Sequence, residues 1–138
     1  MERVVVFLVL QPKEINKGNP AWQILVVDDE PTVSEAIKMM LEHDGHKVQT
    51  ANSGREALTL LEPGRFDLVT TDFSMPEMKG DALATAIKQR LPNQRILMIS
   101  GNGLMSKSSG DPLTGVDLVI GKPLLLEDLR EAIAKVLS

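Results

Sequence analysis

Asp28-Asp29, Asp72, Ser100 and Lys122 stand at comparable points of this sequence, each closing a short, largely apolar run (residues 24–27, 66–71, 96–99 and 116–120). Taken singly, each is a strand end that surfaces and wets its last residue. Together they gather three carboxylates, a hydroxyl and an ammonium at the ends of four runs, which is a constellation rather than a coincidence. If the runs are parallel strands of one open sheet, these groups share the rim where ligands bind at the switch in strand order. Carboxylates gathered there repel one another unless a hard cation sits among them, and Mg²⁺ takes oxygen ligands in near-octahedral geometry. The chemistry that suits the set is phosphoryl transfer. A phosphoryl group held there offers one oxygen to the metal, one to the Lys122 ammonium and one to the Ser100 hydroxyl. Asp72, central in the set, is the natural nucleophile and would form an acyl phosphate.

The elements that must position these groups read as alternating strand and helix signals. Residues 24–27 (Ile-Leu-Val-Val) are continuously apolar, the mark of a strand covered on both faces. Pro31 suits the first turn of the following helix, with Val33, Ala36, Ile37, Met40 and Leu41 at helical spacing and Gly45 as its left-handed terminator. Residues 47–51 form a more polar second strand. Ser53 and Glu56 make a capping box that opens a helix carrying Ala57, Leu58, Leu60 and Leu61 until Pro63. In the strand at 66–71, Phe66, Leu68 and Val69 precede two β-branched threonines; beyond Asp72, Pro76 and Gly80 forbid its continuation. A helix over 81–90 turns Leu83, Ala86 and Ile87 inward. After the strand at 96–99 comes a Gly- and Ser-rich stretch, 101–114, with a short helix expected at 104–108. The fifth strand, 116–120, leads through Gly121-Lys122-Pro123 to a last helix. That helix has Leu126, Leu129, Ile133 and Val136 inward and Glu127 and Asp128 near its N-terminus. Strands alternating with helices predict an α/β fold: a doubly wound, five-stranded parallel sheet in a three-layer α/β/α sandwich.

Composition narrows the function. A chain of 138 residues, 43% apolar and 25% charged, is expected to be one soluble globular domain with a full core. The seven apolar residues at 4–10 are far short of the ~20 that cross a bilayer. Pro12, Gly18 and Pro20 give 11–21 the chemistry of a linker. The expected organisation is therefore a strand-like extension and linker at 1–21 and a compact domain at 22–138. A net charge of −4, three Phe, one Trp and no Tyr offer neither a basic field nor stacking surface, so no nucleic-acid or membrane partner is expected. The absence of cysteine excludes disulfides and thiolate metal sites and suits a reducing compartment. His43 and His46, in the turn after the first helix, read as solvated turn residues rather than zinc ligands.

The segments Ile24-Leu25-Val26-Val27-Asp28-Asp29-Glu30, Thr71-Asp72-Phe73-Ser74-Met75-Pro76-Glu77-Met78-Lys79-Gly80, Ile99-Ser100-Gly101 and Gly121-Lys122-Pro123, in this order and spacing, resemble a response-regulator receiver domain. This is the phosphoacceptor module of two-component signalling, and the resemblance covers residues 22–138. It implies a flavodoxin-like strand order, 2-1-3-4-5, and a cytoplasmic, bacterial phosphoprotein of a phosphorelay. Asp72 would be phosphorylated from the phosphohistidine of a histidine kinase or phosphotransfer protein. Asp29 would bind Mg²⁺ directly and Asp28 largely through water, with further oxygens from Asp72 and the Ser74 backbone carbonyl. Lys122 would pair with the phosphoryl group, and its bond to Pro123 is expected to be cis. Ser100 would swing toward the phosphoryl oxygen on activation. The face built from the helix at 104–108, the fifth strand and the last helix would present the signal to a downstream partner or output domain, and a homodimer is also open. Ser74 and Asn102 flank the pocket and would tune hydrolysis.

The sequence departs from the family at Val119, where an aromatic residue usually precedes the lysine by three. Readout through ordering of residues 101–112 is the expected substitute. Two other readings fit the residues less well. A haloacid-dehalogenase-type phosphatase needs a second Asp two residues after the nucleophile, where Ser74 stands, and a cap insertion that is missing. A receiver fold kept purely as an interaction module would be expected to lose the acidic pair, the acceptor or the lysine, and all are present. The domain is thus read as a phosphoacceptor and not an enzyme, either stand-alone or cut from a longer regulator or hybrid kinase.

Overall fold

The structure, a computed structural model, describes residues 21–101, 115–122 and 125–137. The expected strand at 4–10, most of the linker, the helix at 104–108, Asn102 and the Lys122–Pro123 bond lie outside the described residues. Five strands are present: β1 (Gln23–Val27), β2 (Lys47–Ala51), β3 (Leu68–Asp72), β4 (Arg95–Ser100) and β5 (Leu118–Gly121). Among the described residues they alternate with four helices: α1 (Pro31–His43), α2 (Gly54–Leu60), α3 (Gly80–Arg90) and α4 (Leu126–Leu137). All strand pairings are parallel and the order is β2-β1-β3-β4-β5, as the resemblance implied.

The sandwich follows from the side-chain alternation of strands buried on both faces. In β1, Leu25 and Val27 join α2 and α3 residues Ala57, Leu83, Ala84 and Ile87 on one face. Ile24 and Val26 join Ile37 and Leu41 of α1 and Leu129, Ala132 and Ile133 of α4 on the other. One apolar run therefore serves two cores. The helix starts are local chemistry. Pro31 occupies the first turn of α1, and Gly45, φ 93°, follows its end. In α2 the Glu56 N–H donates to Ser53 Oγ at 3.0 Å. The Glu56 carboxylate reaches back one residue further than a standard capping box, accepting from the Asn52 N–H at 2.7 Å.

Three side-chain assignments shift. Ala36 is exposed and the buried position beside Ile37 is Ser34, whose hydroxyl is satisfied by donating to the Pro31 carbonyl at 3.1 Å. In α3, Ala84 is buried with Leu83 and Ile87, whereas Ala86 is only partly covered. His46 is not a solvated turn residue: its Nδ1 accepts from the Trp22 N–H at 3.0 Å, and burial pushes its pKa below the ordinary 6.5. His43 does end α1 exposed.

Far from the strand C-termini, Arg130 of α4 grips Asp44, just past α1, through two hydrogen bonds of 2.6 and 2.7 Å. Asp44 is 9% exposed in its side chain and Arg130 41%, so water screens only one partner. Arg130→Ala would strand a buried carboxylate. The expected cost is roughly 1–2 kcal/mol, a fall of about 5 °C in Tm. A thermal melt reads it, and an unchanged Tm would show that the pair only decorates the surface.

Candidate functional site

Asp28, Asp72, Ser100 and Lys122 owe their places to the ladder. β1 does not stop at Val27: the Asp28 N–H still donates to the Ala51 carbonyl at 3.1 Å, carrying Asp28 one step past the strand and leaving it 3% exposed. Its Oδ1 accepts from the Glu30 N–H at 2.9 Å, a bond that bends the chain into α1. Asp72 is the last residue of β3, paired with Ile99, so the carboxylate leaves from the middle of the sheet. On the neighbouring side the Lys122 N–H donates to the Ser100 carbonyl at 2.9 Å, which extends the β4–β5 pairing by one residue. Ser100 itself is 5% exposed.

The carboxylate oxygens of Asp28, Asp29 and Asp72 offer one ligand atom each, all within 4.8 Å of one another. Lys122 Nζ lies 3.2 Å from Asp72 Oδ1. The lysine stem passes Gly101, where a Cβ would sit 3.3 Å from Lys122 Cδ, so a glycine there leaves the chain its room. The charge balance is uneven: three carboxylates face one ammonium in this group. Burial, then the charges of Asp72 and Asp29, raise the Asp28 pKa above its ordinary 3.8, against the opposing pull of the Glu30 N–H and Lys122. A site that holds three oxygen donors and strains under its own negative charge fits a hard divalent cation.

Ser74 is two residues beyond Asp72, exposed in the turn that joins β3 to α3. That turn is held closely. The Gly80 N–H donates to the Phe73 carbonyl at 2.9 Å and Met75 is buried at 6% exposure. A Cβ on Gly80 would run into the Asp72 carbonyl oxygen. So Asp28, Asp29 and Asp72 come together within 4.8 Å and Lys122 joins them 3.2 Å from Asp72, while Ser100 is tied to Lys122 through the backbone and Ser74 belongs to the adjoining turn. Val119 pairs with Met98 and is half-buried in the outer strand. Of residues 101–112, expected to carry readout in its place, all but Gly101 lie outside the described residues.

Sequence reasoning passed over Thr71, a buried residue whose hydroxyl donates to the Asp72 carbonyl at 2.9 Å. It also passed over Met78, packed against Gly54 of α2. Thr71 had a signal in its β-branched type at a strand end; Met78 had none, because its partner lies 24 residues away in sequence.

The chain is 31% identical over 117 residues to the sensor histidine kinase RcsC of Salmonella typhi, covering 85% of this chain and 12% of that protein. It is 33% identical over 107 residues to the response regulator MprA of Mycolicibacterium vanbaalenii, 78% of this chain and 46% of the other. This chain thus spans less than half the length of either relative. The crystal structure of response regulator TrrA from Thermotoga maritima, in complex with Mg²⁺-BeF, superposes with a TM-score of 0.73 at 31% identity, over 83% of this chain and 97% of that one. The family model described as the response regulator receiver domain matches residues 24–134, from the first residues of β1 well into α4. Every strand end that carries the acidic rim falls inside that match, and the chain belongs to the response regulator receiver domain family.

Proposed function

We propose that this receiver accepts a phosphoryl group on Asp72 from the phosphohistidine of a histidine kinase or phosphotransfer protein, in a Mg²⁺-dependent reaction. The observation that carries the reading is the Lys122 ammonium 3.2 Å from Asp72, beside a three-carboxylate cluster on one rim of the sheet. An Asp72 carboxylate oxygen attacks phosphorus. The P–N bond to the donor imidazole breaks, its electron pair returns to the ring nitrogen, and an acyl phosphate forms. Lys122 neutralises charge on the phosphoryl oxygens, and Ser100 donates its hydroxyl to one of them. Mg²⁺, held by Asp28, Asp29, Asp72 and the Ser74 backbone carbonyl, would supply the remaining charge neutralisation. The transfer is stoichiometric, so the domain works as a switch and not as a turnover enzyme.

A family relative solved with Mg²⁺-BeF supports the cation assignment by analogy. The relatives include a sensor histidine kinase and a response regulator, which suits a histidine kinase as phosphoryl donor and a downstream protein or output domain as target. The readout surface on this proposal is the β5–α4 face, where Leu118, Val119 and Ile120 line a groove of about 380 Å³ with Asp128, Glu131 and Ala132. The domain proper is taken to begin near Trp22, whose backbone is bound to His46 and Lys47, with residues 1–21 as a preceding segment.

The test is incubation with acetyl phosphate, with and without Mg²⁺, read as intact mass. One phosphoryl adduct is expected on the wild type with Mg²⁺ and none on Asp72→Asn. No adduct on a folded wild type, or an equal one on the variant, overturns the reading.

A further inference from the structure

The turn between β3 and α3 contains a backbone device that the acidic rim does not explain. Glu77 has φ 69°, in the left-handed region that side-chain-bearing residues rarely occupy. The Met78 N–H donates across it to the Pro76 carbonyl at 2.6 Å, closing a γ-turn of the strained, positive-φ kind. A strained conformation at a non-glycine residue persists only where its surroundings hold it. The residue that follows immediately supplies a hold. The half-buried Met78 packs on the core shared by α2 and α3, and its side chain lies against Gly54 at the start of α2. A Cβ placed on Gly54 would be 2.7 Å from Met78 Sδ, 3.2 Å from Cγ and 3.3 Å from Cβ. The contact includes the root of the side chain, so rotating its tip does not relieve the crowding.

Upstream of this anchor the turn runs through Ser74 to Asp72. The other fixings are Met75 in the core and the Gly80 N–H on the Phe73 carbonyl. We infer that Met78, seated in the space left by Gly54, is a positioning residue that sets the Phe73–Glu77 backbone, and with it the Ser74 carbonyl, for the divalent cation. The inference rests on the proposed Mg²⁺ site, and it makes α2 part of that site's support although α2 contributes no ligand. Supporting groups of this kind set ligand orientation and hence affinity.

The experiment is a Mg²⁺ titration of the metal-free wild type, Met78→Ala, Met78→Leu, Gly54→Ala and the Gly54→Ala/Met78→Ala double variant. Binding is read calorimetrically and through the backbone amide signals of residues 73–77. Met78→Ala and Gly54→Ala are each expected to weaken Mg²⁺ on the order of 10-fold. Met78→Leu, nearly conserving volume, is expected to stay within about two-fold of the wild type, and the double variant to lose little more than either single one. Leu83→Ala, in the same core but not in the turn, serves as the control: it lowers Tm and leaves Mg²⁺ affinity unchanged. A wild-type-like Kd in folded Met78→Ala overturns the inference; if that variant does not fold, a wild-type-like Kd in Gly54→Ala does so. A Leu83→Ala loss equal to that of Met78→Ala also overturns it, by reducing the effect to stability. Absence of saturable Mg²⁺ binding in the wild type would instead overturn the proposed metal site.

Discussion

Asp28→Asn is expected to make the metal-free domain more stable and to cripple its phosphorylation. Asp28 is almost fully buried and shares its space with two other carboxylates, and its pKa lies above the ordinary 3.8 because burial and those neighbours disfavour its charge. A carboxyl whose folded pKa is raised contributes its full stability below 3.8 and loses it as pH rises through the folded value. At neutral pH the ionised group therefore works against folding. Asparagine keeps the shape, and its Oδ1 can still accept from the Glu30 N–H, but it carries no charge. The expected gain without metal is roughly 1 kcal/mol, about 4 °C in Tm at pH 7. That advantage shrinks as pH is lowered toward the ordinary carboxylate range. Mg²⁺ is expected to reverse the ranking: saturating metal at one hundred times Kd would stabilise the wild type by about 2.7 kcal/mol, and the variant far less. Its rate of phosphorylation by acetyl phosphate is expected to fall on the order of 10–100-fold. Melting curves with and without Mg²⁺, alongside intact-mass kinetics, read all three effects. A variant that melts below the wild type in the absence of metal would contradict the electrostatic account.

Gly80→Ala is expected to be among the most damaging single-methyl changes near the site. Gly80 opens α3 immediately after the turn, and an added Cβ would meet the Asp72 carbonyl oxygen, with Phe73 Cα and Met98 Cε each 3.0 Å away. Two of these three atoms are backbone, so no rotamer change clears them. Either the start of α3 moves off β3 or the end of β3 bends, and both break the Gly80 N–H to Phe73 carbonyl bond that closes the turn. The expected cost is about 2–4 kcal/mol, with a fall in Tm on the order of 10 °C. Any folded remainder should show weakened Mg²⁺ binding, since Asp72 sits on the displaced segment. Urea unfolding with a parallel Mg²⁺ titration measures both. A loss of less than about 0.5 kcal/mol would mean that the turn yields more easily than its backbone contacts imply.

The amino-acid sequence by itself determined the order of elements and the residue types at the rim. A short, β-branched apolar run closed by turn signals suits a strand covered on both sides, and Ile24–Val27 divides between the two cores as that pattern requires. Polar residues closing four such runs could be placed on one rim because parallel strands point the same way. Caps and terminators were legible because their partners are a few residues away, as with Ser53 and Glu56. What tertiary structure alone decided is everything that depends on distant partners. Sequence alone makes His46 a solvated turn residue, because the Trp22 N–H that occupies its Nδ1 comes from 24 residues away, just before β1. Ala36 and Ser34 exchanged roles because a buried hydroxyl can satisfy itself on a helix carbonyl, which periodicity of apolar residues does not register. The bidentate grip of Arg130 on Asp44 spans 86 residues, and the seat of Met78 on Gly54 spans two elements. Side-chain chemistry and local spacing choose the candidate ligands of this site. Contacts between segments far apart in the chain, invisible to any short window of sequence, choose how firmly those ligands are held.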